Sequence, residues 1–194
     1  ILAEILKDHP NDTRSLILFG GINQVRKDNQ AAIDAYERII ATDPKQEKVY
    51  QLLGGMYLEA EDFDQAERVF NQMIGHFPNN YTGYFYLGKI YAKQGKLKEA
   101  ETKFRKALEL KPDRSEPGFE LVEIYKTRKE IKKVIGLYEE ILQINPGNVR
   151  AAMELGYYHH QQGKKEDAEK YLIKLGARSQ NEFEVIINVI QLYI

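Results

Sequence analysis

The sequence predicts an all-α solenoid of stacked helical hairpins, and three observations predict it. Pro10, Pro44, Pro78, Pro112 and Pro146 stand 34 residues apart, and of six prolines only Pro117 lies outside that series. With this proline set at position 32 of a repeat, position 8 reads Gly20, Gly54, Gly88, Val122 and Gly156. Large apolar residues fill two more columns: Phe19, Leu53, Leu87, Leu121 and Leu155 at position 7, and Tyr36, Phe70, Phe104, Tyr138 and Leu172 at position 24. Self-similarity of this period is the signature of a repeat architecture.

The apolar columns at positions 4, 7, 8 and 11, then 20, 24 and 27, are spaced helically and break between the two groups, so each repeat holds two helices. Residues 1–12 read as the second helix of a partial repeat. Full repeats follow at 13–46, 47–80, 81–114, 115–148 and 149–182, and 183–194 reads as the first helix of another partial repeat. Gly95 and Gly163 mark the turn between paired helices, and the recurring proline follows the second helix, where a helix cannot continue. Asn11-Asp12-Thr13 and Pro112-Asp113-Arg114-Ser115 offer N-cap residues for the next helix.

A glycine inside a helix costs about 1 kcal/mol against alanine. Position 20 carries Ala32, Ala66, Ala100, Val134 and Ala168, so the columns suggest small residues facing small residues where the two helices cross. The fourth repeat sets Val122 against Val134 and has Gly118 at position 4, which predicts a wider helix pair. Pro117 suits a first turn if Ser115 caps the helix. Position 11 is Tyr57, Tyr91 and Tyr125 in the middle repeats, with Asn23 and His159 in the outer two. Gln180 replaces the proline of the fifth repeat, which predicts a looser final turn.

These columns resemble the tetratricopeptide repeat, whose signature runs W-x2-L-G-x2-Y, then A-x3-F, A and P. The third repeat matches best, with Tyr84, Leu87, Gly88, Tyr91, Ala100, Phe104, Ala107 and Pro112; an aromatic other than Trp opens it. The resemblance extends over 1–194 and implies a single array, a right-handed superhelical α-α solenoid. It also implies that positions 2, 5, 9, 12 and 13 of the first helices line a concave groove. Carried over, position 5 gives Ile17, Gln51, Phe85, Phe119 and Met153. Position 9 gives Gly21, Gly55, Lys89, Glu123 and Tyr157, and position 12 gives Gln24, Leu58, Ala92, Lys126 and His160.

The function implied is a non-catalytic interaction module that holds a peptide or helix of a partner protein in this groove. The alternative is an accessory region of a larger enzyme or cell-envelope assembly protein, positioning a substrate or a catalytic domain elsewhere in the chain. Some members of the family grip the carboxyl terminus of heat-shock chaperones with lysine, asparagine and arginine. Here position 6 reads Leu18, Leu52, Tyr86, Glu120 and Glu154, which supplies no basic clamp, so that ligand is not expected.

Charge excludes other classes. Twenty-eight Lys and Arg against 29 Asp and Glu give a net charge of -1, so no overall field draws the chain to nucleic acid, and no such partner is expected. Repeat two has two basic and six acidic residues, and repeat three nine and four. Lys96, Lys98, Lys103, Arg105 and Lys106 fall on the turn and second helix of repeat three, as a solvated face with helical ion pairs. There is no cysteine, and no apolar run approaches the roughly 18 residues of a membrane span, so direct membrane insertion is not expected and the compartment stays open.

His159 and His160 diverge by about 100° on a helix and cannot share one ion well, so neither metal nor other cofactor is expected. The glycines and acids already have repeat positions, which leaves no catalytic constellation. Asn11-Asp12-Thr13 and Asn80-Tyr81-Thr82 match glycosylation sequons but read as turn and cap residues. The chain opens at Ile1 directly in helical pattern, as a piece of a longer protein would. Its last segment, with Phe183, Val185, Ile186, Ile187, Val189 and Ile190, is apolar enough to expect cover from another repeat or from a second copy in a homodimer.

Overall fold

The computed structural model describes residues 2–176, all helix and turn. The helices are α1 (Leu2–Asp8), α2 (Thr13–Val25), α3 (Asn29–Thr42), α4 (Glu47–Glu59), α5 (Phe63–His76), α6 (Tyr81–Lys93), α7 (Leu97–Leu110), α8 (Glu116–Thr127), α9 (Ile131–Ile144), α10 (Val149–Gln161) and α11 (Lys165–Gly176). They fall into two compact units, Ile1–Leu110 and Lys111–Ile194. Gln180 and the apolar segment 183–194 lie outside the described residues.

In the first unit the hairpins α2/α3, α4/α5 and α6/α7 share a core that includes Leu16, Tyr36, Ile39, Tyr50, Leu53, Phe70, Met73 and Leu87, each almost completely removed from solvent. The mid-helix glycines set how closely each hairpin closes. A Cβ on Gly20 would lie 2.5 Å from the Tyr36 ring, one on Gly54 2.5 Å from the Phe70 ring, and one on Gly88 2.6 Å from the Phe104 ring. The glycine at position 8 therefore faces the ring at position 24. The columns had paired it with the alanine at position 20; Ala32, Ala66 and Ala100 are buried too, but the atoms nearest each glycine belong to the ring. An aromatic ring fills the space a Cβ would need, and full burial of such a side chain is worth about 1.5–3 kcal/mol, more than the helical cost of the glycine.

The second unit departs from this in its first hairpin. Val122, Val134 and Tyr138 are all buried, and α8 runs less closely beside α9 than the paired helices of the other four hairpins. At position 8 Val122 supplies the Cβ and methyls that glycine leaves out in the first unit, so there is less room there for a ring to seat. Ser115 occupies the N-cap position of α8 but its side chain does not cap the helix; its hydroxyl accepts from Asn148 Nδ2 at 3.3 Å. Pro117 is buried in the first turn, where its missing N–H removes no helical bond. Asp12 does cap, accepting from the Ser15 N–H at 2.8 Å. Asn80 likewise accepts from the Thr82 N–H, and Asn11 accepts from Arg38 Nε, so both sequon asparagines have structural bonds.

Every hairpin turns in the same way. The residue at position 15 has positive φ in each, Lys27 at 62°, Glu61 at 56°, Gly95 at 74°, Lys129 at 58° and Gly163 at 74°. The N–H of position 16 returns to the carbonyl of position 11, as Asp28 to Asn23, Asp62 to Tyr57, Lys96 to Tyr91, Glu130 to Tyr125 and Lys164 to His159, all at 2.8–2.9 Å. The N–H of position 15 bonds the carbonyl of position 12. This pair of bonds is a Schellman closure. It fixes the turn through the main chain whatever the side chain, although three of the five residues carry a Cβ in the left-handed region.

Adjacent repeats of the first unit are joined by phenol-to-carboxylate bonds. Tyr57 on α4 donates to Glu37 on α3 at 3.0 Å, and Arg68 on α5 lies 2.6 Å from the same oxygen. Tyr91 on α6 donates to Glu67 on α5 at 2.7 Å. Tyr86 stacks on Phe70, ring centroids 4.8 Å apart and nearly parallel. Burial, then the carboxylate each phenol bonds, push Tyr57 and Tyr91 up to about 12.

Two neighbouring glycines are expected to respond oppositely. Gly54→Ala drives a methyl into the Phe70 ring, itself held by Tyr86, and lowers stability in urea unfolding by about 1–2 kcal/mol after the helical gain. Gly55→Ala meets nothing within 4 Å and raises stability by up to about 1 kcal/mol. Shifts of the same sign would show that the ring contact does not set the glycine. At the turns, Glu61→Gly and Lys129→Gly each raise stability by about 0.5–1 kcal/mol, because glycine relieves the left-handed strain at some entropic cost. The phenols give an alkaline signature. Their pKa is raised by folding, so their contribution is complete below the usual tyrosine value of 10.0 and is lost as pH rises toward about 12. Tyr57→Phe and Tyr91→Phe should each flatten the fall of melting temperature across that window.

Candidate interaction surfaces

The first helices present the residues that the sequence singles out, and their surroundings differ within and between the units. In the first unit Ile17 and Leu58 are half-buried and pack against the core. Gln24 accepts a hydrogen bond from the Tyr36 hydroxyl at 2.8 Å, and Gln51 donates to Glu47 at 3.3 Å. Phe85 is half-buried, 5.9 Å from the Phe104 ring and 5.5 Å from that of Tyr86, with the Lys89 ammonium 5.7 Å above its face. Positions 5 and 12 therefore spend part of their surface inside the unit.

The outermost stripe on these helices runs through positions 2, 6, 9 and 13, which share one face at helical spacing. On α2 it reads Arg14, Leu18, Gly21 and Val25; on α4, Lys48, Leu52, Gly55 and Glu59; on α6, Thr82, Tyr86, Lys89 and Lys93. Leu18 is 60% exposed, Val25 85% and Leu52 38%, with Ile22 at 43% beside them. Leu18 and Leu52 at position 6 and Ile22 at position 10 lie outside the groove columns that the resemblance implies, whereas Val25 stands at position 13, which those columns include. The signal was present as Leu18, Ile22 and Val25 spaced four and three apart, but the same spacing describes a buried face, and the sequence does not say which side is covered.

The basic cluster expected on the outer side of repeat three is partly engaged within the unit. The Lys103 ammonium lies 5.9 Å over Tyr84, that of Lys96 5.7 Å over Tyr91, and Lys106 pairs with Glu109 at 2.7 Å.

In the second unit the same columns carry acid. The α8 stripe is Glu116, Glu120, Glu123 and Thr127, and the α10 stripe is Arg150, Glu154, Tyr157 and Gln161. Lys126 bridges Glu123 and Glu154, 3.4 Å from each. Burial opposes the Lys126 charge, but the oxygens of Tyr138, Glu154 and Glu123 outweigh it and raise its pKa above the ordinary lysine value. Burial also pushes up the Tyr138 phenol, with the Glu154 charge adding to it. The Arg150 guanidinium covers the Phe119 ring at 4.2 Å. Met153 is half-buried, whereas Tyr157 is 47% exposed and accepts a hydrogen bond from Gln161. His160 is half-buried; its neighbour His159 is buried and stacked on Tyr171, ring centroids 5.6 Å apart. The two histidines thus face different surroundings, as their angular separation on the helix requires. No helix among the described residues is long and apolar enough to cross a membrane.

Known proteins place this arrangement. Two family models, both described as tetratricopeptide repeat, match residues 56–115 and 129–186, which together span more than half of the chain. No curated protein sequence matches it. Among solved structures, MamA protein is similar with a TM-score of 0.68 at 22% identity, over 89% of this chain and 94% of that one. The pilF protein of Pseudomonas aeruginosa is similar with a TM-score of 0.68 at 16% identity, over 100% of this chain and 87% of that one. YrrB, described as a TPR protein with an unusual peptide-binding site, is similar with a TM-score of 0.63 at 17% identity, over 98% of each chain. At these identities the likeness is one of fold. The repeat columns, the glycine-and-ring hairpins and the two family matches agree: the chain belongs to the tetratricopeptide repeat family.

Proposed function

We propose that this chain is a non-catalytic interaction module that binds a peptide or helix of a partner protein along its first helices. The observation that carries the reading is the large apolar surface left to solvent on those helices, Leu18, Val25 and Leu52 in the first unit and Tyr157 in the second. Exposed apolar side chains clustered on one face, rimmed by charge, are a feature of protein-binding surfaces. Phe85, Phe119 and Met153 add half-buried apolar surface on the same helices. Repeat hairpins whose turns are closed by main-chain bonds need little ordering when a partner arrives, and so lose little affinity to entropy. The likeness to YrrB points the same way, since that protein's description names a peptide-binding site.

Nucleic acid suits the surface poorly, because the exposed columns of the second unit are predominantly acidic. The test is a peptide-display selection against the whole chain, repeated on a variant carrying Phe85→Ala, Phe119→Ala and Tyr157→Ala at unchanged helicity. A consensus that the variant no longer selects supports the reading. Equal selection by both chains, or none by either, overturns it.

A further inference from the structure

The glycines at position 9 stand apart from those at position 8. Gly20, Gly54 and Gly88 lie against rings, which accounts for them. Gly21 and Gly55 sit in mid-helix one residue further on, and a Cβ at either would meet nothing within 4 Å. Each carries the helical cost of glycine, about 1 kcal/mol, with no packing inside the unit to offset it. Both lie on the outermost stripe, Gly21 between Leu18 and Val25 on α2, and Gly55 beside Leu52 on α4. Exposed apolar side chains therefore flank bare backbone, an arrangement that lets a second chain approach the helices more closely than any side chain would allow.

The charges on the same stripe point to what approaches. Arg14, Lys48, Lys89 and Lys93 are basic and Glu59 alone is acidic. On the matching stripe of the second unit Glu116, Glu120, Glu123 and Glu154 are acidic and Arg150 alone is basic. Although the whole chain carries a net charge of only -1, the first unit offers an apolar strip with a positive border. Leu18, Ile22 and Val25 recur at the spacing with which one helix meets another, four and then three residues apart.

We propose that the face of α2, α4 and α6 binds an amphipathic helix of a partner protein, its apolar side against Leu18, Ile22, Val25 and Leu52 and its flanks carrying aspartate or glutamate toward Arg14, Lys48, Lys89 and Lys93. This rests on the interaction-module reading and names the partner's chemistry for one part of the surface. Gly21 and Gly55 form the floor on which the helix lies. The border charges set which helices dock and how fast, more than how tightly they hold, so the preference weakens as salt screens it.

The test uses two fluorescein-labelled helical peptides and the complete chain, followed by anisotropy. Both peptides carry leucines on one face; one has glutamates on its flanks and the other lysines. The glutamate peptide should bind at least about tenfold more tightly at low salt, with the difference narrowing near physiological ionic strength. Leu18→Ser with Val25→Ser should abolish binding at unchanged circular dichroism, and Lys89→Glu with Lys93→Glu should remove or reverse the preference. Gly21→Ala with Gly55→Ala should weaken binding while raising the melting temperature, a combination that loss of fold cannot produce.

Equal binding of the two peptides overturns the proposal. So does binding of neither while display selection still returns a consensus lost in the chain carrying Phe85→Ala, Phe119→Ala and Tyr157→Ala; the interaction module then stands and this occupant falls. Failure of both experiments removes the two readings together. Concentration-dependent self-association abolished by Leu18→Ser with Val25→Ser would make a second copy the occupant and also overturn the proposal.

Discussion

The fit of an aromatic ring against a backbone without a side chain sets the geometry on which everything else in this protein depends. Tyr36, Phe70 and Phe104 occupy the space where a Cβ on Gly20, Gly54 or Gly88 would have to be. That contact brings the two helices of each hairpin to a fixed separation and fixes their rotation about their own axes. Once the rotation is fixed, position 11 faces the preceding repeat, where Tyr57 and Tyr91 find carboxylates, and on α2 and α4 positions 2 and 6 face outward. The α8/α9 hairpin shows the alternative: with valine in place of the glycine at position 8 the helices run less closely together, and Lys126 bridges Glu123 and Glu154.

Much of this was legible in the sequence because the repeat supplies its own alignment. A proline every 34 residues fixes the register, and in that register a costly residue such as Gly54 recurs too regularly to be neutral. What the glycine touches was not legible. Gly54 and Ala66 are both small, and a small-to-small contact is the simplest account of two small columns, whereas the partner is the ring of Phe70. The turns were half legible. Gly95 and Gly163 announce a left-handed residue, but Lys27, Glu61 and Lys129 adopt the same conformation with nothing in their chemistry to show it. Their main-chain bonds outweigh a local preference that sequence reading takes at face value.

The exposed surface was the least legible part. Position 5 looks inward or outward according to how far its helix is turned, and a periodicity of 3.6 residues does not fix that angle. Ile17 and Leu58 rest on the core, while Leu18, one residue from Ile17, is largely in solvent. The charge contrast between the two units could be counted in the sequence, yet it becomes informative only when the structure separates the outward columns from the rest. Over the whole chain the charges nearly cancel, and over one stripe they do not.

The uniform turns bear on how such a chain can change in length. Each hairpin is closed by two main-chain bonds at a fixed number of residues from position 8, where in the first unit a glycine seats a ring, so one added residue within a helix would rotate everything beyond it by about 100°. Ring and glycine would lose each other, and the outward stripe would turn into the core. Adding or removing a whole unit of 34 residues, by contrast with a single residue, leaves the register of ring and glycine intact. The side chain at position 15 of each turn is constrained only by backbone conformation, whereas position 16 also carries the residues that cap the next helix, Asp28 accepting from the Ala31 N–H and Asp62 from the Gln65 N–H, each at 3.2 Å. Length in such a fold therefore comes in steps of one hairpin, while the surface can be changed one side chain at a time on the outer stripe.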